Sequence, residues 1–197
     1  MYSYKQSRST CVSARDVPVL LGISPFQTRS DLLLEKCHWR KKKPFTESMR
    51  RGVELEPKAL SKLCDFLKID ESLVEKPGFT RHPKFEYIGG VPDGIYKDVL
   101  IEIKCPSKFT YQDKPADFYI AQMQVYMQIF NLDKGLYVEY IENNGLKIIK
   151  VNKDDIWWMW VSPLVKSFWD EVMYWRNNEN ICDSFDFKIE ENGILVG

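Results

Sequence analysis

The chain has 197 residues, of which 44% are hydrophobic and 28% charged, enough for one compact domain with a hydrophobic core. No apolar stretch is long enough to cross a bilayer and the N-terminus lacks the apolar run of a secretory signal, so we expect an intracellular protein without a membrane partner. Five scattered cysteines without a C-x-x-C pair favour reduced thiols over disulfides, a zinc site or an iron–sulfur cluster.

Charge is unevenly distributed along the chain, although the formal net charge is zero. Residues 1–51 carry eleven basic and four acidic side chains, a net charge of +7, and the 17 basic and 24 acidic residues of 52–197 give −7. A basic N-terminal third on an acidic body predicts one face that attracts phosphate. The basic run at residues 40–43 could equally be a solvated loop.

The first seventy residues are predicted to be helical. The spacing of apolar residues indicates a short helix over residues 13–21, a second over 31–39 that Ser30 could cap, and a longer one over 47–67. Pro57 predicts a kink or a restart within the third helix.

The middle of the chain changes to the alternating pattern typical of strands. We predict strands at residues 85–88, 94–96, 99–105, 136–141 and 146–151, with a helix at 115–131 and a hairpin turn across 143–145. Ser162 followed by Pro163 predicts the start of a last helix that ends near residue 175. This order of elements predicts an α/β fold with a mixed central sheet flanked by helices.

We expect a single domain over residues 1–197, with a basic helical part (1–70), a central core (80–151) and C-terminal helices (152–180). Five of the six tryptophans lie in the last of these parts, at positions 157, 158, 160, 169 and 175. They are expected to pack in the core or between helices, with an oligomer interface as the alternative.

Two charged residues share one face of the strand predicted at residues 99–105. Apolar residues alternate with polar ones there, so Glu102 and Lys104 project to the same side while the other side faces the core. A carboxylate can hold a divalent cation, which neutralises charge on a phosphate and lowers the pKa of a bound water, and a lysine can orient that water. The pair therefore suits phosphodiester hydrolysis.

An E-x-K triplet has little specificity alone, since a second one occurs at residues 56–58 and a pair of exposed charges on a strand is the plain alternative. Asp93 lies nine residues before Glu102, in a Gly-Gly-Val-Pro-Asp-Gly run where a neighbouring strand could end beside it. By itself Asp93-Gly94 is typical of a turn. Together with the triplet it resembles the bipartite signature of the PD-(D/E)XK nucleases, and implies their restriction-endonuclease-like core.

The resemblance extends beyond this signature over nearly the whole chain. It includes an Arg-Gly-Val-Glu-Leu-Glu-Pro run and an Ala-Gln-Met-Gln run, and the stretches that carry it are residues 11–25, 51–57, 91–106, 119–124 and 168–172. As a set they are similar to the lambda-exonuclease/YqaJ family of viral and phage recombination exonucleases. Singly, only the third is specific.

The resemblance assigns roles to individual positions. It implies that Asp93 and Glu102 are metal ligands with the Ile103 carbonyl beside them, and that Lys104 is the catalytic lysine. Glu56, on the long helix, is implied as an additional acidic residue and metal ligand, and Gln122 as a residue at the reaction centre. Glu54 is the weaker alternative to Glu56, and solvated helix positions are the plain interpretation of Glu56 and Gln122.

The pocket for a DNA end matches the family less well. Arg8 matches the arginine that contacts the terminal 5′-phosphate, but the family's serine seven residues on is Arg15 here, and the next arginine of that pocket is Pro25. Arg15, Ser13 or Arg29 could substitute.

Two further DNA contacts are implied on the long helix. Met49 lies where the family places an apolar residue that wedges the DNA ends apart, although a role in the helix core is an equal alternative, and Arg51 opens the second matching stretch.

The resemblance implies a magnesium-dependent 5′-to-3′ exonuclease, with Mn²⁺ as an alternative ion, that degrades one strand of linear duplex DNA and leaves 3′ single strand. It also implies a ring-shaped homotrimer, a strand-annealing partner protein, and, for a viral source, the host cytoplasm or nucleus. The alternatives are an endonuclease of the same superfamily and a DNA-binding module that has lost catalysis.

Overall fold

The structure is a computed structural model that describes residues 10–39, 45–109 and 113–178. Its helices are α1 (Val17–Leu20), α2 (Arg29–Lys36), α3 (Glu47–Leu67), α4 (Asp117–Phe130) and α5 (Asp155–Asn177), with a 3-10 turn at Glu71–Leu73. Its strands are β1 (Val12–Ser13), β2 (Thr80–Arg81), β3 (Ile88–Gly90), β4 (Gly94–Tyr96), β5 (Val99–Lys104), β6 (Lys134–Ile141) and β7 (Gly145–Asn152). The predicted α/β fold with a mixed sheet flanked by helices is confirmed.

The larger sheet has the order β4-β5-β6-β7, and only its β5–β6 pair is parallel. Helix α4 makes the crossover between these two strands, which is the connection that parallel neighbours require. A small sheet has the order β1-β3-β2. Its central strand, β3, leads directly into the segment that carries Asp93.

Helices cover both faces of strand β5. Its odd-numbered residues Ile101 and Ile103 pack with the buried side of α3, whereas Leu100 packs in the core formed with α4, α1 and α5. Glu102 and Lys104 have the same parity as Leu100, so they project towards α4. The sequence predicted one covered face, and the structure covers the other as well.

Helix α3 has the predicted bounds and passes through Pro57 without ending. Thr46 caps it by accepting a hydrogen bond from the Met49 backbone N–H. Because Leu55 and Leu60 are buried on either side of the proline, packing against the sheet outweighs the lost backbone hydrogen bond.

Two N-terminal predictions are wrong in detail. Ser13 belongs to β1, which pairs with β3, and the short helix begins only at Val17. Thr28, not Ser30, caps α2, because its hydroxyl accepts the hydrogen bond from the Asp31 N–H at 3.2 Å. The pairing of β1 with β3, which is distant along the chain, keeps Ser13 out of the helix and delays the start of α1 to Val17. Local helix signals do not indicate such a pairing.

The strand predicted at residues 85–88 lies instead at Ile88–Gly90. The residues before it form a turn around the buried ring of His82, whose Nδ1 accepts hydrogen bonds from the backbone N–H groups of Lys84 and Phe85 at 3.0 and 3.2 Å. Phe85 and Tyr87 then pack against the core as partly buried rings, which explains their strand-like apolar pattern.

Residues 155–177 form one helix, not two. Asp154 caps α5 by accepting a hydrogen bond from the Trp157 N–H at 2.8 Å, and Pro163 lies within the helix rather than at its start. Buried Val161 and Val165 flank the proline and hold the helix to the core. The expected packing role fits Trp158, which is buried, but Trp160 is 76% exposed.

Across the described residues, no helix combines the length and the apolar character that a bilayer crossing requires.

Candidate active site

Asp93 and strand β5 are held together by one hydrogen bond. Asp93 immediately precedes β4, which pairs antiparallel with β5 so that Gly94 lies opposite Ile101. The Asp93 carboxylate then accepts a hydrogen bond from the Ile103 backbone N–H at 2.7 Å. This contact fixes Asp93 beside Glu102, as the nine-residue spacing in the sequence predicted.

Glu102 is completely buried. Its Oε1 accepts hydrogen bonds from the Lys104 ammonium and from the Gln122 amide nitrogen, the latter at 2.7 Å. Within the described part of the chain its Oε2 has no hydrogen-bond partner. Burying a carboxylate oxygen without a partner is costly, and one Glu139 oxygen on β6 has no hydrogen-bond partner among the described residues either. What points to a cation at Glu102 is the second negative charge beside it, that of Asp93.

The electrostatics of this cluster favour an added cation. Burial, together with the negative charge of Asp93, raises the pKa of Glu102 well above its ordinary value, although Lys104 and Arg15 act in the opposite direction. Burial alone would lower the pKa of Lys104, but Glu102 and Asp93 raise it overall. The two carboxylates therefore repel each other in a buried space, and a cation between them would relieve that repulsion.

Helix α4 supplies the group that orients Glu102. The Gln122 amide nitrogen contacts both Glu102 and the Tyr126 hydroxyl, the latter at 3.3 Å. Tyr126 fits only because residue 90 is glycine: a Cβ there would lie 2.4 Å from the tyrosine ring. Gly90 thus gives the Tyr126 ring the room it needs to contact Gln122.

Glu56 and Arg15 face the same cluster from outside. Partial burial and the charge of Asp93 raise the pKa of the half-buried Glu56, while Lys76, Lys104 and Arg15 lower it. Glu54 differs, since its side chain is 58% exposed and pairs with Arg50 on the same helix. Glu56 is thus the half-buried glutamate of this helix on which the charge of Asp93 acts.

The residues present fit a hard divalent cation. Asp93 and Glu102 offer carboxylate oxygens, the ligands that Mg²⁺ prefers, and no described residue hydrogen-bonds to Glu102 Oε2. Among the described residues, no three acidic, histidine or cysteine side chains are gathered closely enough to form a metal site by themselves. Magnesium tolerates so few protein ligands, because it usually keeps several waters and binds substrate phosphates.

The residues predicted to bind DNA are distributed around this cluster in different ways. Arg15 is exposed, and its charge acts on both Glu102 and Glu56. Ser13 is buried, and its backbone N–H donates to Asp16 at 2.7 Å. Arg29 pairs with Glu171 on α5, and Arg8 lies outside the described residues.

Two more of these residues lie on α3. Met49 is 52% exposed, which excludes the alternative of a buried helix-core residue. Arg51 donates a hydrogen bond at 3.4 Å to the Cys105 carbonyl, directly after β5, so this guanidinium is close to the end of the strand that carries Lys104.

Three residues near the cluster were not identified from the sequence. Tyr119 and Tyr126 flank Gln122 at positions three before and four after it, a helical spacing that could have indicated them. The Lys104 nitrogen lies 5.1 Å from the Tyr119 ring centroid. Glu139 is buried on β6 opposite Lys104 in the strand register, and accepts a hydrogen bond from Tyr137 at 2.9 Å.

Several solved structures are similar to this fold. The alkaline exonuclease LHK-Exo from Laribacter hongkongensis superposes with a TM-score of 0.77 at 22% identity, covering 92% of this chain and 97% of that one. LHK-Exo in complex with dAMP gives 0.76 at 21% identity, with coverages of 92% and 96%. A phage-related exonuclease from Haemophilus somnus 129PT gives 0.62 at 12% identity, with coverages of 89% and 96%. At these identities the similarity shows the fold.

Sequence comparison is more specific about family. No characterised protein matches the chain directly. The family model described as a YqaJ-like viral recombinase domain matches residues 3–133, more than half of the chain. Together with the exonuclease fold, this match supports a nuclease that acts on DNA. The resemblance inferred from the motifs is confirmed, and the chain belongs to the YqaJ-like viral recombinase family.

Proposed function

We propose that the protein is a magnesium-dependent 5′-to-3′ exonuclease that digests linear double-stranded DNA and leaves 3′ single strand for recombination. The observation that carries this proposal is the buried Glu102 carboxylate, which contacts Lys104, is affected by the charge of Asp93, and has one oxygen without a partner among the residues that the structure describes. Neither a structural ion pair nor a solvated strand pair explains that oxygen.

Asp93 and Glu102 would hold the ion, with the Ile103 carbonyl beside them and Glu56 on the outer side. When bound, magnesium would neutralise charge on the scissile phosphate and lower the pKa of the attacking water. Mn²⁺ accepts the same oxygen ligands and is the alternative ion. The hydrogen bond from Gln122 to Oε1 restrains the Glu102 carboxylate, which leaves its second oxygen available to the ion.

Against the effect of burial, the neighbouring carboxylates of Glu102 and Asp93 raise the pKa of Lys104, which favours its ammonium form at neutral pH. Its ammonium can orient the water and stabilise the charge that develops on the phosphate. The ion pair with Glu102 fixes the position of this ammonium. Helix α4 covers this face of β5 and limits the access of bulk water. The lower local dielectric strengthens the interactions of the ammonium with the water and with the phosphate.

Glu56 and Glu54 allow a matched comparison on one helix. We expect Glu56→Gln to raise the magnesium concentration needed for half-maximal cleavage by about tenfold, because a neutral amide replaces a carboxylate that acts on Asp93. Glu54→Gln changes a pair with Arg50 that is exposed to solvent, and should leave this concentration unchanged. Equal behaviour of the two variants would remove Glu56 from the site.

The polarity of digestion depends on how a DNA end is held. A terminal 5′-phosphate carries more charge than an internal one, and a guanidinium can bind it with two hydrogen bonds. Exposed Arg15, whose charge reaches Glu102, supports an anion pocket next to the cluster, with Arg8 as its proposed second arginine.

We expect linear duplex with 5′-phosphate ends to be digested faster than the same duplex with 5′-hydroxyl ends. Arg15→Ala should lose this preference, and Arg8→Ala should as well, while slow distributive cleavage persists. Duplexes labelled separately at the 5′ and 3′ ends give the measurement. Equal rates on both kinds of end, or first products from the 3′ terminus, would contradict the proposed 5′-to-3′ direction. Neither result would contradict the proposed nuclease activity.

Helix α5 supports a homo-oligomer, for which the family resemblance implies a trimer. Four apolar side chains at helical spacing on its outer side are 53–76% exposed: Ile156, Met159, Trp160 and Leu164. Such a row of exposed apolar residues is typical of a protein interface. A strand-annealing protein is proposed as a separate partner that receives the 3′ strand.

A further inference from the structure

Three aromatic rings extend outwards from the candidate catalytic lysine. Tyr119, in the first turn of α4, lies 5.1 Å from the Lys104 nitrogen, and Phe118 lies beside it with ring centroids 4.2 Å apart. Phe26, from the loop before α2, meets Phe118 edge-on at 5.5 Å. We call Phe26, Phe118 and Tyr119 the aromatic row.

The outer end of the aromatic row is not part of the hydrophobic core. Phe26 is 66% exposed, and Phe118 is only partly buried. Tyr119 alone packs against the core, where it also contacts the ring of Tyr137 at 5.5 Å. Two phenylalanines from separate segments therefore meet at the surface directly beside a charged, buried site.

This combination suits the bases of a single DNA strand. Proteins that bind single strands pair cationic groups for the backbone with aromatic rings on which bases stack, and any base can stack because each has a π-face. A phosphate held at Lys104 carries its own base through one sugar, so that base comes within reach of the rings beside the lysine. Lys104 and Arg15 supply the cationic groups at the inner end.

We infer that Phe118 and Phe26 form a stacking subsite for a nucleobase of the strand whose phosphate lies at Asp93, Glu102 and Lys104. This inference rests on the proposed nuclease function. It adds a contact between the protein and a base of the bound strand that does not depend on the DNA sequence. The subsite would hold the unpaired strand in place while its phosphate is attacked, and it would favour DNA with bases over a bare sugar–phosphate chain.

Binding of two oligonucleotides to the full chain tests the subsite. The probes are a 5′-phosphorylated, fluorescently labelled oligothymidylate and an abasic strand of equal length, measured by anisotropy in the absence of divalent metal. We expect the wild type to prefer the strand with bases. Phe118→Ala should weaken oligothymidylate binding about tenfold, since stacking on one ring is worth roughly that factor, with abasic binding unchanged.

Conservative variants at Phe118 and a control variant at a distant phenylalanine distinguish the loss of base stacking from a general loss of folding. Phe118→Leu keeps the apolar bulk but lacks the ring, so it should behave like the alanine variant, whereas Phe118→Trp should keep the preference. Phe26→Ala should lose part of it. Phe66→Ala is the matched control, because Phe66 is 68% exposed on α3, ten residues beyond Glu56, and should bind both strands normally.

Three outcomes would overturn the subsite. Phe118→Ala could bind both probes like the wild type, it could lose affinity for both equally, or Phe118→Leu could keep the preference. Digestion of linear duplex by the wild type, run in parallel, distinguishes the two proposals. If the wild type digests DNA while any of these outcomes holds, the stacking subsite fails and the nuclease stands. If the wild type neither binds nor digests DNA, both fail.

Discussion

Replacing Lys104 by alanine is expected to reduce cleavage of linear duplex DNA at least a hundredfold. Its ammonium acts on charge that develops during the reaction, and a transition-state contact of this kind is typically worth about 3 kcal/mol or more. Magnesium binding should persist, because Asp93 and Glu102 remain and the ion displaces any proton that Glu102 takes up in its absence. The rate of a single turnover at saturating magnesium is the measurement, and the same loss is expected for Glu102→Ala.

The fold should survive this change. Removing Lys104 leaves Glu102 buried without its cation, but the pKa of that carboxyl is already raised, so it can take up a proton instead of staying charged. Lys134→Ala is the matched control, since Lys134 also lies on a central strand and pairs with exposed Asp98 at 3.0 Å. Near-normal turnover by Lys104→Ala would remove the lysine from catalysis.

Asp93→Asn is expected to lower the affinity for magnesium by at least about tenfold. Loss of a group that merely supports a ligand typically costs 10–100-fold, and loss of a ligand's charge should cost no less. Asparagine keeps a side-chain oxygen that can accept the hydrogen bond from the Ile103 N–H, so the geometry of β4 and β5 is preserved. Calorimetric titration with magnesium measures the effect.

The control for this variant is Asp98→Asn, five residues along the chain. Asp98 is 71% exposed at the turn between β4 and β5, where it pairs with Lys134. Its replacement should leave magnesium affinity unchanged. If Asp93→Asn binds the ion as tightly as Asp98→Asn and the wild type do, Asp93 is not a ligand.

The cluster itself was predictable because its parts depend on local rules. Alternation along the strand places Glu102 and Lys104 on one face, and the short segment between two predicted strands places Asp93 beside the neighbouring strand. Gln122 followed from the family resemblance, and its contact with Glu102 at 2.7 Å fits that assignment. Their roles in metal binding and catalysis remain predictions.

Burial of the cluster was not predictable from the same pattern. Alternation around Glu102 indicates one polar and one apolar face, which usually means that the polar face is in solvent. Here α4 covers that face, and only the tertiary arrangement brings Gln122 and Tyr126 over it. The unpartnered oxygen and the raised pKa of Glu102 both follow from this cover.

Element ends were mispredicted where distant packing outweighs local signals. Ser162 and Pro163 have the pattern of a helix start, yet the helix is continuous because Val161 and Val165 are buried on either side. Ser13 precedes a helix-like run, yet it pairs with β3, whose position along the chain no local pattern indicates.

The proposed metal-dependent exonuclease activity can be measured by incubating the wild-type protein with linear and with closed circular duplex DNA, each with and without magnesium. We expect progressive digestion of the linear DNA only when magnesium is present, with the circular DNA intact. Cutting of the circle would indicate an endonuclease. Undiminished digestion in the presence of a chelator, or no digestion under any of the four conditions, would contradict a metal-dependent nuclease centred on Asp93, Glu102 and Lys104.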